Sequence, residues 1–210
     1  MPLHSAAFPL KPRGMSDPYF FGYGSLVNRR THVYTPAHRA TLPGWRREWR
    51  ATALRPAAFL TARPVAGSEI DGLIAPVPGN DWAALDQREA GYDRLPADAV
   101  RHAMEPAPEV AVYSIPPRED DLDSCPILLS YLDVVVQGFL TEFGEAGVAR
   151  FFETTDNWHL PVADDRGAPL YPRAQDLSAP ETRLVDRWLD ELAVERMDAA
   201  RTRLGHDAAP

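Results

Sequence analysis

The stretch "FFGYGSL", Phe20–Leu26, runs from aromatic strand formers into two glycines one residue apart, then into a serine and a leucine. Three kinds of site use glycines placed this way: a loop for nucleotide phosphates, a turn that presents a serine nucleophile, and a backbone pocket for a small anion. Val27 stands where the third glycine of a dinucleotide fingerprint would be, and no GK[ST] follows, so both phosphate loops fail. A nucleophile elbow needs G-x-S-x-G, whereas Gly24 directly precedes Ser25 and Val27 lies two further on. What remains is a glycine pair at a strand end whose backbone can take positive φ. It either aims successive N–H groups into one concavity, holding a carboxylate or a developing oxyanion, or makes an ordinary tight turn.

Tyr19 to Gly22 reads as a short buried strand feeding that turn. Upstream, residues 1–16 are proline-rich and aperiodic, and are expected to be disordered, with Met15 as an alternative start. Downstream, in "TLPGWRREWRATAL", Trp45, Arg47 and Trp49 alternate with Arg46, Glu48 and Arg50, which predicts a strand with its aromatics on one face. "AAFLTARPV" and "EIDGLIAPV" predict two further strands around a turn at Ala66, Gly67 and Ser68, and "VRHAM" with "EVAVYSI" another pair. Ile115 to Pro126 reads as a surface loop. In the C-terminal third, Leu184, Val185, Trp188, Leu189 and Leu192 form a helical stripe, and "ETTDNWHLP" reads as a helix terminus rather than a pocket rim, given Pro161. Strands first and helices last give an α+β class, with residues 17–145 as the main domain and 146–210 as a helical extension packed on it.

Composition narrows the functions. The 210 residues are 45% hydrophobic and 25% charged, enough for one globular core. A formal net charge of -8 lacks the basic footprint that nucleic acid requires, and it means that an acidic small substrate needs a local positive pocket. The single Cys125 forms no intrachain disulfide, and no signal peptide is evident, so a cytoplasmic location is expected. The apolar run "CPILLSYLDVVVQGFLTEF" is interrupted by Ser130, Asp133 and Gln137, which predicts buried core rather than a membrane span. The six histidines are scattered without metal-ligand spacing, so no metal is expected.

"PGNDWAALDQREAGYDRL" predicts a helix capped by Asn80, opened by Asp81 and stopped by Gly91. At about 100° per residue Trp82 and Leu85 share a stripe, and Glu89 falls between them, while Asp86 and Arg88 project to the flanks. A carboxylate aimed at the core has its charged form disfavoured and its pKa raised, toward the range wanted of a general base. Alternatively Glu89 pairs with an inward arginine, Arg47 or Arg50, as a satisfied core ion.

Taken in order, "GYGSL", "LPGWRREW", "GLIAPV" and "LDQREAGY" resemble the γ-glutamylcyclotransferase superfamily, the last being most similar to its ChaC-type branch. The resemblance covers roughly residues 19 to 115 and gives no match beyond about Gly144. It implies a compact mixed β-barrel with peripheral helices and a pocket at its mouth. It further implies that Tyr23, Gly24, Ser25 and Leu26 line the pocket for a γ-glutamyl head, with Glu89 as catalytic acid/base and Tyr92 and Tyr113 as pocket aromatics. The implied reaction closes the γ-glutamyl group onto its own α-amine, releases 5-oxoproline, and needs no metal or organic cofactor. Two rivals share the motifs: a lyase removing a γ-glutamyl protecting group, and a non-catalytic binding module. The implied partner is a small γ-glutamyl substrate, without nucleic acid or membrane, and nothing in the sequence sets an oligomeric state.

Overall fold

A computed structural model describes residues 17–52, 56–117 and 125–199. The leader 1–16, most of the acidic loop (118–124) and the last residues, 200–210, lie outside the described residues. Strand β1 (Tyr19–Gly22) is buried at all four positions, as a continuous apolar run requires of a strand covered on both faces. Strands β2 (His38–Arg50) and β3 (Phe59–Pro76) form a long antiparallel hairpin, and β1 lies against β3, with Tyr19 opposite Pro76 and Gly22 opposite Leu73. Helix α1 (Ala83–Arg88) and strands β4 (Asp93–Pro96) and β5 (Val110–Ser114) follow, with β5 parallel to β1.

The two strands expected around Ala66–Ser68 are one strand. Pairing with β2 continues on both sides of Gly67, which takes φ +79 beside the register shift between Pro43 and Trp45, so the glycine marks a bulge and not a reversal. "VRHAM" is not a strand either: Arg101 makes a single bridge to Thr41, and the partner of β5 is β4. All four residues of β4 are exposed, so no alternation of polar and apolar residues betrays it in the sequence.

Strand β6 (Ile127–Leu128) leads into helix α2 (Leu129–Glu153), broken at Gly144 where φ is 68. Each polar residue that interrupts the apolar run is buried and partnered. Ser130 donates to Asp165 (2.6 Å), Asp133 takes a two-bonded fork from Arg166 (2.7 Å each), and Gln137 accepts from Asn28 (3.0 Å). The run is core, and no helix among the described residues is long and apolar enough to cross a membrane.

The C-terminal third is not wholly helical. It supplies β7 (Thr155–Asp156) to the edge of the main sheet, and β8 (Val162–Asp164) and β9 (Arg196–Asp198) to a small parallel sheet with β6. Strands of two or three residues carry no readable period, which is why only the helix was legible there. That helix, α3 (Ala179–Glu191), starts at Ser178 with a reciprocal Glu181 cap and buries Leu184, Val185 and Leu189, while Leu192 lies just past its end. One main hydrophobic core runs from Tyr19 to Val194, with a small second cluster around Ala163 and Ala199.

The main sheet has the order β4-β5-β1-β3-β2-β7 and therefore two edges, so the barrel is not closed among the described residues. It nonetheless curls until the end of β5 meets the start of β3. There, side chains replace a ladder: Ser114 Oγ donates to the Ala62 carbonyl (2.7 Å) and Thr61 Oγ1 accepts from the Ile115 amide (2.8 Å). The turn after β1 lies inside this curl.

Candidate active site

Beyond β1 the chain makes a 3-10 turn at Ser25–Val27, closed by the Val27 amide on the Gly24 carbonyl (2.9 Å) and the Asn28 amide on that of Ser25 (3.1 Å). Gly24 takes φ -121, so the positive φ expected of this glycine pair is not what selects glycine. Space selects it. A Cβ on Gly24 would lie 2.7 Å from the hydroxyl oxygen of Tyr131, and one on Gly22 would lie 2.5 Å from Leu26 Cβ. From behind, the buried Arg47 guanidinium donates to the Tyr23 carbonyl (2.9 Å), to Thr154 Oγ1 (2.8 Å) and to the Asp71 carbonyl, and packs over the Phe139 and Phe151 rings.

Glu89 arrives from the other side, on a shorter helix than expected. Asn80 sits at φ 59 in a preceding 3-10 turn, and it is Asp81 whose carboxylate accepts the Ala83 amide (3.1 Å). Glu89 is the C-cap of α1, its amide on the Leu85 carbonyl (2.9 Å), and Gly91 follows at φ 100. Leu85 is fully buried and the Glu89 side chain keeps 17% exposure. Arg88 is not the solvated flank expected: its side chain is 8% exposed and curls back along the helix end. It donates to the Thr31 carbonyl (2.8 Å) and Ser25 Oγ (3.2 Å), and its Nε lies 3.2 Å from Glu89 Oε1. Neither Arg47 nor Arg50 pairs with Glu89; Arg50 bonds the Ile115 carbonyl and Glu48. Burial pushes the Glu89 carboxyl above its ordinary pKa, while the positive charges of Arg88 and Arg173 pull the other way without cancelling the shift.

Tyr23, Gly24, Ser25, Leu26, Glu89, Tyr92 and Tyr113, all named from the sequence, meet around one recess of about 30 Å³, together with Phe21, Gly22, Leu60 and Tyr131. The hydroxyls of all three named tyrosines are engaged. Tyr23 donates its hydroxyl to the Tyr113 carbonyl (2.6 Å), Tyr92 to that of Leu60 (2.8 Å), and Tyr113 to Asp86. Tyr131, which the sequence reading passed over as part of an apolar run, is different: its hydroxyl lies at the glycine turn, 2.7 Å from where a Cβ on Gly24 would be, beside the Ser25 backbone. A tyrosine whose ring suits the core but whose hydroxyl needs a partner was the available signal. Burial first, and the nearby Glu89 charge in addition, hold Tyr23, Tyr92 and Tyr131 above the usual phenol range, so all three stay protonated.

No protein-family model matches the chain, and no curated protein does. Solved structures do match. A gamma-glutamyl cyclotransferase superposes with a TM-score of 0.51 at 15% identity, covering 82% of this chain and 99% of its own. The human protein loc79017, described as uncharacterized, superposes with a TM-score of 0.51 at 15% identity, covering 81% and 98%. The fold is that of a γ-glutamyl cyclotransferase. Likeness at this identity speaks for the scaffold, and the chemistry has to be argued from the side chains.

In this γ-glutamyl cyclotransferase fold the recess opens into a cleft of about 540 Å³ that it shares with Ser25, Leu60, Glu89, Tyr92 and Tyr131. Phe59 and Leu128 line one part, and Tyr171, Pro172 and Arg173, beyond the reach of the family resemblance, form another. Buried Asp165 anchors that rim, accepting from the Ser130 amide (2.7 Å), Ser130 Oγ (2.6 Å) and the Leu170 amide (2.9 Å). Tyr171 then packs edge-on against Tyr131 at 5.0 Å between ring centroids. Among the described residues no group of three or more His, Cys, Asp or Glu side chains could hold a metal ion. Cys125 is buried two residues before β6 and does not line the recess or the cleft.

Proposed function

We propose that the protein is a γ-glutamylcyclotransferase-type enzyme that releases 5-oxoproline from a γ-glutamyl peptide or amine. The observation that carries this reading is the placing of Glu89: a carboxylate whose charged form is disfavoured by burial, facing the Gly24–Leu26 turn across a recess walled by tyrosine rings. Residues 17–145 supply this reacting centre, and the part beyond 145 supplies the rim.

The substrate's α-ammonium gives a proton to Glu89, and the freed amine attacks the γ-carbonyl carbon of the same residue. The new C–N bond closes a five-membered ring through a tetrahedral oxyanion. As the oxyanion collapses, protonated Glu89 gives its proton to the leaving nitrogen and that bond breaks; the ring nitrogen then passes its second proton through the freed Glu89 carboxylate to the released amine, which departs as an ammonium and leaves Glu89 ionised. Because nucleophile and electrophile belong to one molecule, the protein's main work is to fold the substrate into the reactive conformation and carry protons. A carboxylate with a raised pKa suits both halves of that proton transfer. Tyr131, kept protonated by burial beside the Ser25 backbone, is in place to donate to the oxyanion, and the Gly24–Leu26 turn holds the head of the substrate.

The test is 5-oxoproline release from glutathione, γ-Glu-Ala, γ-Glu-ε-Lys and a γ-glutamyl alkylamide, run beside Glu89→Gln. Turnover of at least one substrate, reduced about a hundredfold or more in the variant, is expected. Release that persists in the variant removes Glu89 from the role, and no release from any substrate overturns the reading.

A further inference from the structure

The cleft has a charge opposite to that of the molecule. The protein carries a formal net charge of -8, yet among the described residues that line the cleft the only acid is Glu89, against two arginines, Arg88 and Arg173. Arg88 is occupied by Thr31, Ser25 and Glu89. The guanidinium of Arg173 has no carboxylate or carbonyl within bonding distance among the described residues, although it lies close enough to Glu89 to influence its charge. Elsewhere several well-exposed arginines find acids (Arg39 reaches Glu142, Arg101 Glu69, Arg150 Asp71 and Arg187 Glu145), and those without one among the described residues, Arg30 and Arg183, line neither the recess nor the cleft. A half-buried guanidinium without such a partner among the described residues, in the lining of a cleft, is a planar fork of donors matched to a carboxylate.

Arg173 is also held in place. Asp165 ties the loop before it to the first turn of α2 through the Ser130 and Leu170 bonds, the Tyr171 amide reaches Ser130 Oγ (3.3 Å), and the Ala174 amide closes a turn on the Tyr171 carbonyl (3.0 Å). Pro172 fixes the backbone one residue before it. A recognition group mounted on an anchored loop loses less freedom on binding than one on a loose segment.

Position decides which part of a substrate it meets. Glu89, Tyr92 and Tyr131 line both recess and cleft, so the bond that breaks lies at their junction, whereas Arg173 lines the cleft alone. On the γ-glutamyl reading above, the head occupies the recess and the leaving group the cleft. We propose that Arg173 binds a carboxylate on the leaving group, so that the preferred substrates are γ-glutamyl amino acids or short γ-glutamyl peptides rather than γ-glutamyl amines. This inference rests on the γ-glutamyl reading.

Two matched pairs test it: γ-Glu-Ala against γ-Glu-alaninamide, and glutathione against its C-terminal amide. Each differs only in the charge of the leaving group. The wild-type protein is expected to favour the carboxylate of at least one pair by about tenfold or more in kcat/KM, chiefly through KM, as befits a charge-assisted bond. In Arg173→Met the carboxylate-to-amide ratio should collapse toward one, and Arg173→Lys should restore part of it. Equal turnover of both members of both pairs by the wild-type protein overturns the proposal while leaving the γ-glutamyl reading intact. So does a preference that survives in Arg173→Met, which would place Arg173 on the head or outside recognition. Absence of 5-oxoproline from all four compounds overturns the γ-glutamyl reading and this proposal with it.

Discussion

The hydroxyl of Tyr131 occupies the space where a side chain at position 24 would begin, 2.7 Å from an ideal Cβ on Gly24. Leu60 closes the same space at 3.1 Å. Gly24→Ala is therefore expected to cost about 1–3 kcal/mol of stability, as overpacking of a tight core does, and to slow 5-oxoproline release by displacing Tyr131. Deleting the hydroxyl in Tyr131→Phe should relieve part of that cost. Urea unfolding of the wild type, both single variants and the double variant measures the coupling, and simple additivity would mean that the two groups do not compete for space.

Glu89 must be ionised to act as a base, so kcat/KM should fall as pH drops through its pKa. Burial places that acidic limb above the ordinary glutamate value of 4.5. Arg88→Met removes a positive charge that opposes the shift and should move the limb to higher pH, as a pH–rate profile would show.

The same shift bears on stability with the opposite sign from a salt-bridged carboxylate. The folded protein holds the Glu89 proton more tightly than the unfolded chain, so this group's favourable contribution is present below the unfolded pKa and is lost as pH rises through the folded one. At neutral pH Glu89→Gln is expected to be at least as stable as the wild type while losing turnover. A denaturation midpoint clearly below wild type at pH 7 would show that Glu89 acts mainly as a structural partner of Arg88.

His32 is tied to the end of the glycine turn and is kept neutral by burial. Its Nδ1 accepts the Tyr34 amide (3.2 Å) and its Nε2 donates to the Leu26 carbonyl (3.0 Å). Burial first, then the charge of Arg88, pushes its pKa down to about 4 from the ordinary 6.5. Folding therefore loses stability as pH falls from about 6.5 toward 4, because the unfolded chain takes up a proton that the folded one refuses. His32→Gln should flatten the stability profile across that interval, measured by denaturation at a series of pH values.

Asp165 is 3% exposed and receives three donors at the start of α2 and in the rim loop. Asp165→Ala leaves those donors without a charged acceptor and is expected to cost about 3 kcal/mol, with KM rising more than kcat falls. An unchanged KM would show that the rim does not need this anchor.

How much of this could be read from the residues follows from what makes each feature. The turn at Gly22–Leu26 and the inward Glu89 were legible because glycine spacing and helical phase are local. The reason for glycine was misjudged, since the atoms that forbid a Cβ at position 24 come from Tyr131 and Leu60, distant in sequence. Arg88 was placed on the solvent side because a wheel assumes that the helix continues, whereas α1 ends at Glu89 and a long side chain can fold back over that end. β4 left no signal because it is exposed at every position, and β7, β8 and β9 because they are too short to have a period. The rim was invisible for another reason: Arg173 reaches the cleft through Asp165 gripping Ser130, a contact between residues 35 apart whose existence no local pattern encodes.

That grip also separates the molecule's tasks. Glu89 is carried by α1 and the glycine turn by the end of β1, while the segment from Gly167 to Arg173 follows an Arg166 pinned on Asp133 and Asp186 and is gripped by Asp165 through Ser130 and Leu170. Residues of that segment which make none of the anchoring bonds can be exchanged, lengthened or recharged without repacking the elements that move the protons. On the proposed reading, a short span of sequence then sets the leaving group, and a library confined to residues 167–173 is where altered preference is expected to be selected without loss of the Arg166 fork on Asp133.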